Sequence, residues 1–387
     1  MFIDVGCIQQ KKYDQNAYGD YFLTKRLPEE ERLIGVLSDG LGSGVKANIL
    51  ACMTSVMLLK FMEAHRDIKK ACEVVMNSLP VCQVRKISYS TFSAIDCNDD
   101  GIVKIVEEGN PKFLWMRNDT IIEPEYTVIT SKTFENRHMH VYKLQVELGD
   151  RLIFCSDGVT QSGLGCKKLR LGLRRDGLIK IVQEKIKENA DVSSRELAHY
   201  IVQQALNIEV DRKAKDDISA CVFYFRKPRE ALIFTGPPYN SENDRIYAKM
   251  FNRFKGKKAI CGGTTANLIS RELNIPIKSE ITFESGNLPP ISQMEGVDLV
   301  TEGILTLTKA LEYLESDMRN LPNDSAYKLV NFLLNNDCIN FMVGAKLNQA
   351  HYDPALPIEI EIRKNIIRKM AKILEDKYVK RTKIQFM

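Results

Sequence analysis

The sequence predicts two units of different class: an α+β unit over residues 1–227, then a smaller α/β unit with a mostly parallel sheet over 228–387. Three observations carry this. Loosely alternating apolar strands dominate the first part, broken by helical blocks. Beyond RKPRE (226–230), a charged and proline-containing linker, the order becomes strand, helix, strand, helix. The length of 387 residues suits two or three domains.

Strands are predicted at FIDVGCIQ, GDYFLTKRL and RLIGVLSDG. After the glycines of DGLGSG the period changes: Val45, Ile49, Met53 and Met57 recur every four residues, with Leu50 and Leu58 filling the same face. This predicts an amphipathic helix of about twenty residues. A second helix, DIKKACEVVMNSLPVC, is capped by Asp67 and ends near Pro80. Strands return at YSTFSAIDC, GIVKIVEEG, PKFLWMR, HMHVYKLQVEL and DRLIFCSDG, with a hairpin turn at 99–101. Two helices follow, around GLIKIVQEKIKENA and SSRELAHYIVQQALN, the latter capped by Ser193 or Ser194 with Glu196. KDDISACVFYF closes the unit as a strand. In the second unit ALIFTG, KKAICGG, VDLVTEG and INFMVGAKL are strands. SENDRIYAKMFNRF, TTANLISREL and ILTLTKALEYLES are the helices between them.

Composition excludes several classes. At 44% hydrophobic and 27% charged, the chain has the balance of a soluble globular protein. The net charge of +5 is scattered, and the clusters at Lys11–Lys12 and KYVKRTK are expected as solvated faces, so no nucleic-acid partner is predicted. No run of eighteen apolar residues suggests a membrane span, and no apolar stretch near the N-terminus suits a secretory leader. Ten cysteines without a CxxC pair, several inside apolar runs (Cys155, Cys221), predict buried thiols in a reducing cytoplasm.

Two apolar runs end on the same tripeptide: LIGVLSDG at 33–40 and LIFCSDG at 152–158. An aspartate at the end of a buried strand is held rigidly, and the following glycine lets the chain turn and exposes its carbonyl oxygen. Carboxylate plus carbonyl is hard-oxygen chemistry, suited to magnesium or manganese. One such corner is only a common turn. Two further acidic sites lie at strand margins, however: Asp20 in YGDYF and Asp216–Asp217 in KDDISACVF. Four strand-end acids converging on one sheet edge would hold two cations. Paired ions roughly 3.5–4 Å apart activate water for attack on phosphorus, and phosphate-monoester hydrolysis is among the slowest uncatalysed reactions.

GDYF, then VLSDGLGSGVKAN opening a helix, then FCSDGVTQSG, then KDDISACVF resembles the sporulation stage II protein E (SpoIIE) group of the metal-dependent protein phosphatase 2C superfamily. YSTFSAIDCNDDGIVKIVEEGNPKFLWMR is similar to the family's hairpin with an acidic turn and Gly-x-Pro. The resemblance spans residues 1 to 226. It implies two packed antiparallel sheets flanked by helices, and a bacterial, cytoplasmic signalling hydrolase. The implied metal ligands are Asp20, Asp39, the Gly40 backbone oxygen, Asp157 and Asp216, with Asp217 in support. Two manganese or magnesium ions are implied, with a bridging water attacking phosphoserine or phosphothreonine in line. Cys155 is then a buried residue and no nucleophile. Substrates in the family are often phosphorylated regulators, such as antagonists of anti-sigma factors. A homodimer is compatible with the group, whose activity is regulated through moving helical elements; the helix after DGLGSG is the one suspected of such a switch. No arginine stands in a motif position to bind substrate phosphate; Arg26 and the KAK stretch before Asp216 are weak candidates.

His138 and His140 form an HxH that needs further ligands to be a metal site, and Trp115 reads as core. In the second unit a strand runs into Gly262–Gly263, with Thr264 or Thr265 placed to cap the next helix. Such a turn presents N–H groups to an anion, although it matches neither GxGxxG nor a Walker sequence. With Gly236 and Glu302, these residues would line a pocket at the carboxyl ends of the strands. The alternative function is therefore a signalling scaffold or ligand sensor, whose C-terminal unit binds a small anion or metabolite and whose phosphatase unit is a regulated output.

Overall fold

The computed structural model describes residues 1–64, 68–78, 90–130, 137–166, 169–279, 291–316, 321–344 and 356–387. The Asp67 cap and the Pro80 stop lie outside them. The chain divides into two compact units, Met1–Lys227 and Pro228–Met387.

The first unit runs β1 (Phe2–Gln10), β2 (Asp20–Leu27), β3 (Arg32–Gly40), α1 (Val45–Glu63), α2 (Ile68–Ser78), β4 (Ser90–Asn98) and β5 (Ile102–Glu108). It continues with β6 (Leu114–Arg117), β7 (Thr120–Ile122), β8 (Thr127–Thr130), β9 (His138–Gln145), β10 (Arg151–Cys155), α3 (Asp157–Thr160), α4 (Arg174–Glu188), α5 (Ser194–Ile208) and β11 (Ile218–Arg226). The strands form two sheets, β1-β11-β10-β6-β7 and β2-β3-β4-β5-β9-β8. Every pairing within them is antiparallel. The sheets meet through aromatics: the Phe223 ring lies 6.4 Å from that of Phe22 and stands against Gly35, where a Cβ would fall 2.6 Å from it. Helices α4 and α5 cover the outer face of the first sheet through Ile181, Val182, Leu197 and Ile201. Leu58, Leu59 and Met62 of α1 cover the second, against Ile34, Val36 and Phe92. Two packed antiparallel sheets flanked by helices are thus the architecture, as the family resemblance implied.

Local signals account for several elements. Ser193 and Glu196 form a complete capping box at the start of α5. Gly101, at φ +85°, turns the β4–β5 hairpin. The short strands β7 and β8 escaped the periodicity reading because three or four residues carry too little alternation.

The face of α1 is a correction. Val45, Ile49 and Met53, expected in the core, are 64%, 52% and 49% exposed, and the buried face carries Ala47, Ala51, Thr54, Ser55, Leu58, Leu59 and Met62. Close approach is the reason: a Cβ on Gly40 would stand 2.1 Å from the Ala47 carbonyl oxygen, so only small residues fit between α1 and β3. By length and composition α1 could cross a membrane; here it lies on the second sheet. The cysteines also differ from expectation. Cys7 and Cys221 face each other across β1 and β11, with Cα atoms 4.1 Å apart, joined as a disulfide.

The second unit comprises β12 (Glu230–Thr235), α6 (Asp244–Arg253), β13 (Lys257–Cys261), α7 (Gly263–Leu273), β14 (Ile277–Ser279), β15 (Ser292–Met294) and β16 (Leu299–Thr301). Then follow α8 (Ile304–Glu315), α9 (Ser325–Leu334), β17 (Cys338–Val343), α10 (Leu356–Asp376) and β18 (Arg381–Phe386). Its sheet has the order β14-β15-β16-β13-β12-β17-β18. The run from β16 to β18 is parallel, and β14–β15 adds an antiparallel edge. The expected mostly parallel sheet is present. Part of KYVKRTK, expected as a solvated cluster, instead forms the start of β18, which pairs with β17.

Candidate active site

The acids predicted from strand margins come together in the first unit. Asp20 opens β2 and Asp39 lies at the end of β3, and the antiparallel register sets them directly opposite. Asp157 follows β10 and opens the single turn α3. Asp216 lies just ahead of β11, beside β10 in the other sheet. Asp39 shares a side-chain hydrogen bond with Asp157 and feels the charges of Asp20, Asp157 and Asp216.

Close backbone approach explains both glycines of the SDG corners. Neither Gly40 nor Gly158 has a positive φ. A Cβ on Gly158 would stand 2.0 Å from the Asp217 carbonyl oxygen, as one on Gly40 would from Ala47. Sharp turning, the expected reason for them, is not what they supply. Gly158→Ala is therefore expected to cost about 1–3 kcal/mol of stability by overpacking and to separate Asp157 from Asp216. Thermal unfolding and phosphatase assays together check this, and an unchanged midpoint with full activity would refute it.

The electrostatics follow from burial and like charge. Asp20 is 2% exposed, and its carboxyl is pushed up to about 8, first by desolvation and then by Asp217 and Asp216. The hydroxyls of Ser219 and Ser156 oppose that shift. Asp39 is pushed up to about 10 by desolvation and by the three neighbouring acids. Asp157 is raised by desolvation and by Asp216, against hydrogen bonds from Gln161 and Gly158. Among the described residues no Lys, Arg or His forms an ion pair with any of these four acids. Like charges grouped in this way oppose one another's ionisation unless cations offset them.

Several positioning residues were not singled out from sequence. Ser219 Oγ donates to Asp20 Oδ2 at 2.6 Å, and the Ser219 amide donates to Ser156 Oγ at 3.0 Å. Ser156 Oγ in turn donates to the Asp217 carbonyl at 3.2 Å, tying β10 to β11 beneath the acids. Gln161 Nε2 donates to Asp157 Oδ2 at 2.8 Å. Asp217, expected only as a supporting acid, accepts the Lys12 amide at 3.2 Å and a hydrogen bond from the Gly19 backbone. It fastens the loop that leads into Asp20. The only sequence signal for the serines was their place beside the acids in FCSDG and KDDIS.

Other candidates fall into structural roles. Arg26 Nη2 donates to the Ile3 carbonyl, and its guanidinium lies over Phe2. Lys213 stacks on Tyr13, and Lys215 donates to the Leu164 carbonyl. His140 packs on Tyr126, and Trp115, 9% exposed, donates to Asp150 at 3.0 Å. Cys155 is buried, its thiol pushed far up by desolvation, which suits a core residue and not a nucleophile. In the second unit neither Thr264 nor Thr265 caps α7: the N-cap is Gly262, without a side-chain hydrogen bond.

A two-sheet sandwich with helices on both outer faces thus carries an acid-lined corner between strand ends. The stage II sporulation protein E (SpoIIE) family profile matches residues 29–226, just over half of the chain. The chain belongs to that family, and phosphatase activity is the function this membership supports. No curated protein matches it. Among solved structures it is similar to the PP2C phosphatase domain, with a fragment of the regulatory domain, of SpoIIE from Bacillus subtilis. That match has 20% identity and a TM-score of 0.48, covering 58% of this chain and 64% of that one. It is also similar to the RsbU and RsbW domains of a Mycobacterium tuberculosis protein, at 16% identity, 65% and 67% coverage and TM-score 0.48. RsbX in complex with magnesium matches at 18% identity, 57% and 94% coverage and TM-score 0.39. All three scores lie below 0.5, so membership rests on the sequence match.

Proposed function

We propose that the chain is a metal-dependent protein phosphatase acting on phosphoserine and phosphothreonine. The observation that carries this is the set of four neighbouring acids that no described Lys, Arg or His pairs. Among the described residues no three His, Cys, Asp or Glu side chains stand as a ready-made cation cage. The donor set nevertheless fits hard divalent cations: carboxylates at strand ends, of which Asp20 and Asp39 are raised by desolvation and by neighbouring acids, with Gly40 next in the chain to Asp39. Asp20, Asp39, Gly40, Asp157 and Asp216 would hold two manganese or magnesium ions. When bound, such ions polarise phosphoryl oxygens and make a water nucleophilic near neutral pH.

The chain's own residues fix the rest. Ser219 orients Asp20, Gln161 orients Asp157, and Asp217 pins the segment from Lys12 to Gly19. The substrate class is a phosphorylated regulatory protein of the anti-sigma-antagonist type, met in the cytoplasm. A homodimer belongs to the same proposal: Val45, Ile49, Met53 and Val56 leave an apolar stripe exposed on α1. Sedimentation showing only monomer at every concentration would remove that part.

Phosphopeptides test the specificity. Phosphate release from phosphoseryl and phosphothreonyl peptides is expected with manganese or magnesium, much slower release from phosphotyrosyl peptides, and none in chelator. Equal rates in chelator, or a preference for phosphotyrosine, would overturn the proposal.

A further inference from the structure

The second unit contains a set of polar groups that its fold does not explain. Numbered among themselves in chain order, its parallel strands β12, β13, β16, β17 and β18 lie in the order 3-2-1-4-5. The order reverses between β12 and β17. In open α/β sheets, ligands bind outside the carboxyl ends of the strands near such a reversal.

Each relevant strand end carries a glycine corner. Gly236 follows β12 with φ +80°, and Gly262 follows β13 with φ +137°. Gly303 follows β16, so close to Gly262 that its Cβ would stand 3.5 Å from the Gly262 Cα. A Cβ on Gly263 would meet nothing within 4 Å, so there is open room beside the first residue of α7. That eleven-residue helix opens on Gly262 with no side-chain cap hydrogen bond, and the first amides of a helix lack partners within it.

Buried polar atoms around these corners supply the second, independent observation. Thr265 is 1% exposed, at the third position of α7, and its hydroxyl has no hydrogen-bond partner. It lies 3.4 Å from where a Cβ on Gly262 would be, turned toward the corner and not engaged as a cap. Thr235 is fully buried at the end of β12, and its hydroxyl is likewise without a partner. It follows the register pair Phe234–Ile260 and so lies beside Cys261, the last residue of β13. Glu302, next to Thr301 at the end of β16, has a buried carboxylate oxygen without a partner and acts electrostatically on Cys261. Folded proteins rarely leave buried hydroxyls and carboxylate oxygens unpaired; two at strand ends and one in the first turn of α7 mark a place where a ligand supplies the missing bonds. Arg363 of α10 adds positive charge at the reversal: its Nη1 lies 2.7 Å from the position of a Gly236 Cβ, beside the Gly344 carbonyl.

We propose that the carboxyl ends of β12, β13 and β16 form a binding site for a phosphorylated small molecule with vicinal hydroxyls, the chemistry shared by ribonucleotides and sugar phosphates. The phosphate sits on the amides opening α7 with the Thr265 hydroxyl. The Glu302 carboxylate accepts hydrogen bonds from the diol. No covalent step is involved.

The test is calorimetric titration of the full chain with AMP, 2′,3′-dideoxy-AMP, ribose 5-phosphate and inorganic phosphate. It is done in chelator and in the Asp39→Ala background, so that phosphate binding at the metal site of the first unit does not contribute. Saturable binding of AMP or ribose 5-phosphate is expected, the stronger of the two identifying the source. Thr265→Val should weaken it at least tenfold with the thermal midpoint maintained. Glu302→Gln should abolish the preference for AMP over the dideoxy form or, if ribose 5-phosphate binds instead, weaken that ligand. Failure of all four probes to bind at millimolar concentration would overturn the proposal, as would binding unchanged in both variants.

Discussion

Replacing Asp39 with asparagine is expected to lower phosphatase turnover by at least a thousandfold while the fold survives. Asp39 faces Asp20 across β2–β3 and shares a hydrogen bond with Asp157, so it links acids carried by both sheets. On the proposed function, losing its charge would remove a metal ligand, and metal-dependent hydrolysis depends on neutralising the phosphoryl charge. Asp157→Asn is expected to behave similarly. Folding should be unharmed, because each substitution relieves like-charge crowding. Initial rates with manganese, beside circular dichroism, check both variants; full metal-dependent activity in either would contradict the assignment of that residue.

The second large effect concerns stability. In the metal-free fold Asp20 and Asp39 hold their protons up to about 8 and about 10, against 3.8 for a free aspartate. The unfolded chain loses those protons near pH 4. Between these limits the folded state binds more protons, so stability falls as pH rises from about 4 and is lowest above about 10. Cations that bind only the folded, ionised cluster reverse this. In chelator the thermal midpoint should therefore fall steadily from pH 5 to 9. Manganese should restore it, most strongly at the alkaline end, and Asp39→Asn should flatten the slope. A midpoint in chelator that is level or rising over that range would show that the acids are not held as described.

The acids were legible in the sequence because aspartate interrupts apolar runs at strand ends, where its only competitor is a turn. Their orienting partners were not. Ser156 and Ser219 sit inside runs that read as core, and a hydroxyl serving a carboxylate looks the same in sequence as a small filler. The four-residue spacing of large side chains in α1 points to the exposed face and not the buried one. Gly40 brings β3 so near that Ala47, Ala51 and Ser55 occupy the buried face instead. Thr265 was legible as a polar residue at a helix start, but its capping role was not realised: Gly262, at φ +137°, holds the N-cap. The edge strand β18 was hidden by its charge, which a solvent-facing sheet edge tolerates.

The most direct test of the central claim is a manganese titration of the purified chain, counting bound ions, with phosphate release followed in the same samples. Two ions bound in the wild type, hydrolysis that rises with their occupancy, and loss of both in Asp39→Ala is the predicted result. Hydrolysis that proceeds in chelator, or ion binding unaffected by Asp39→Ala, would contradict it.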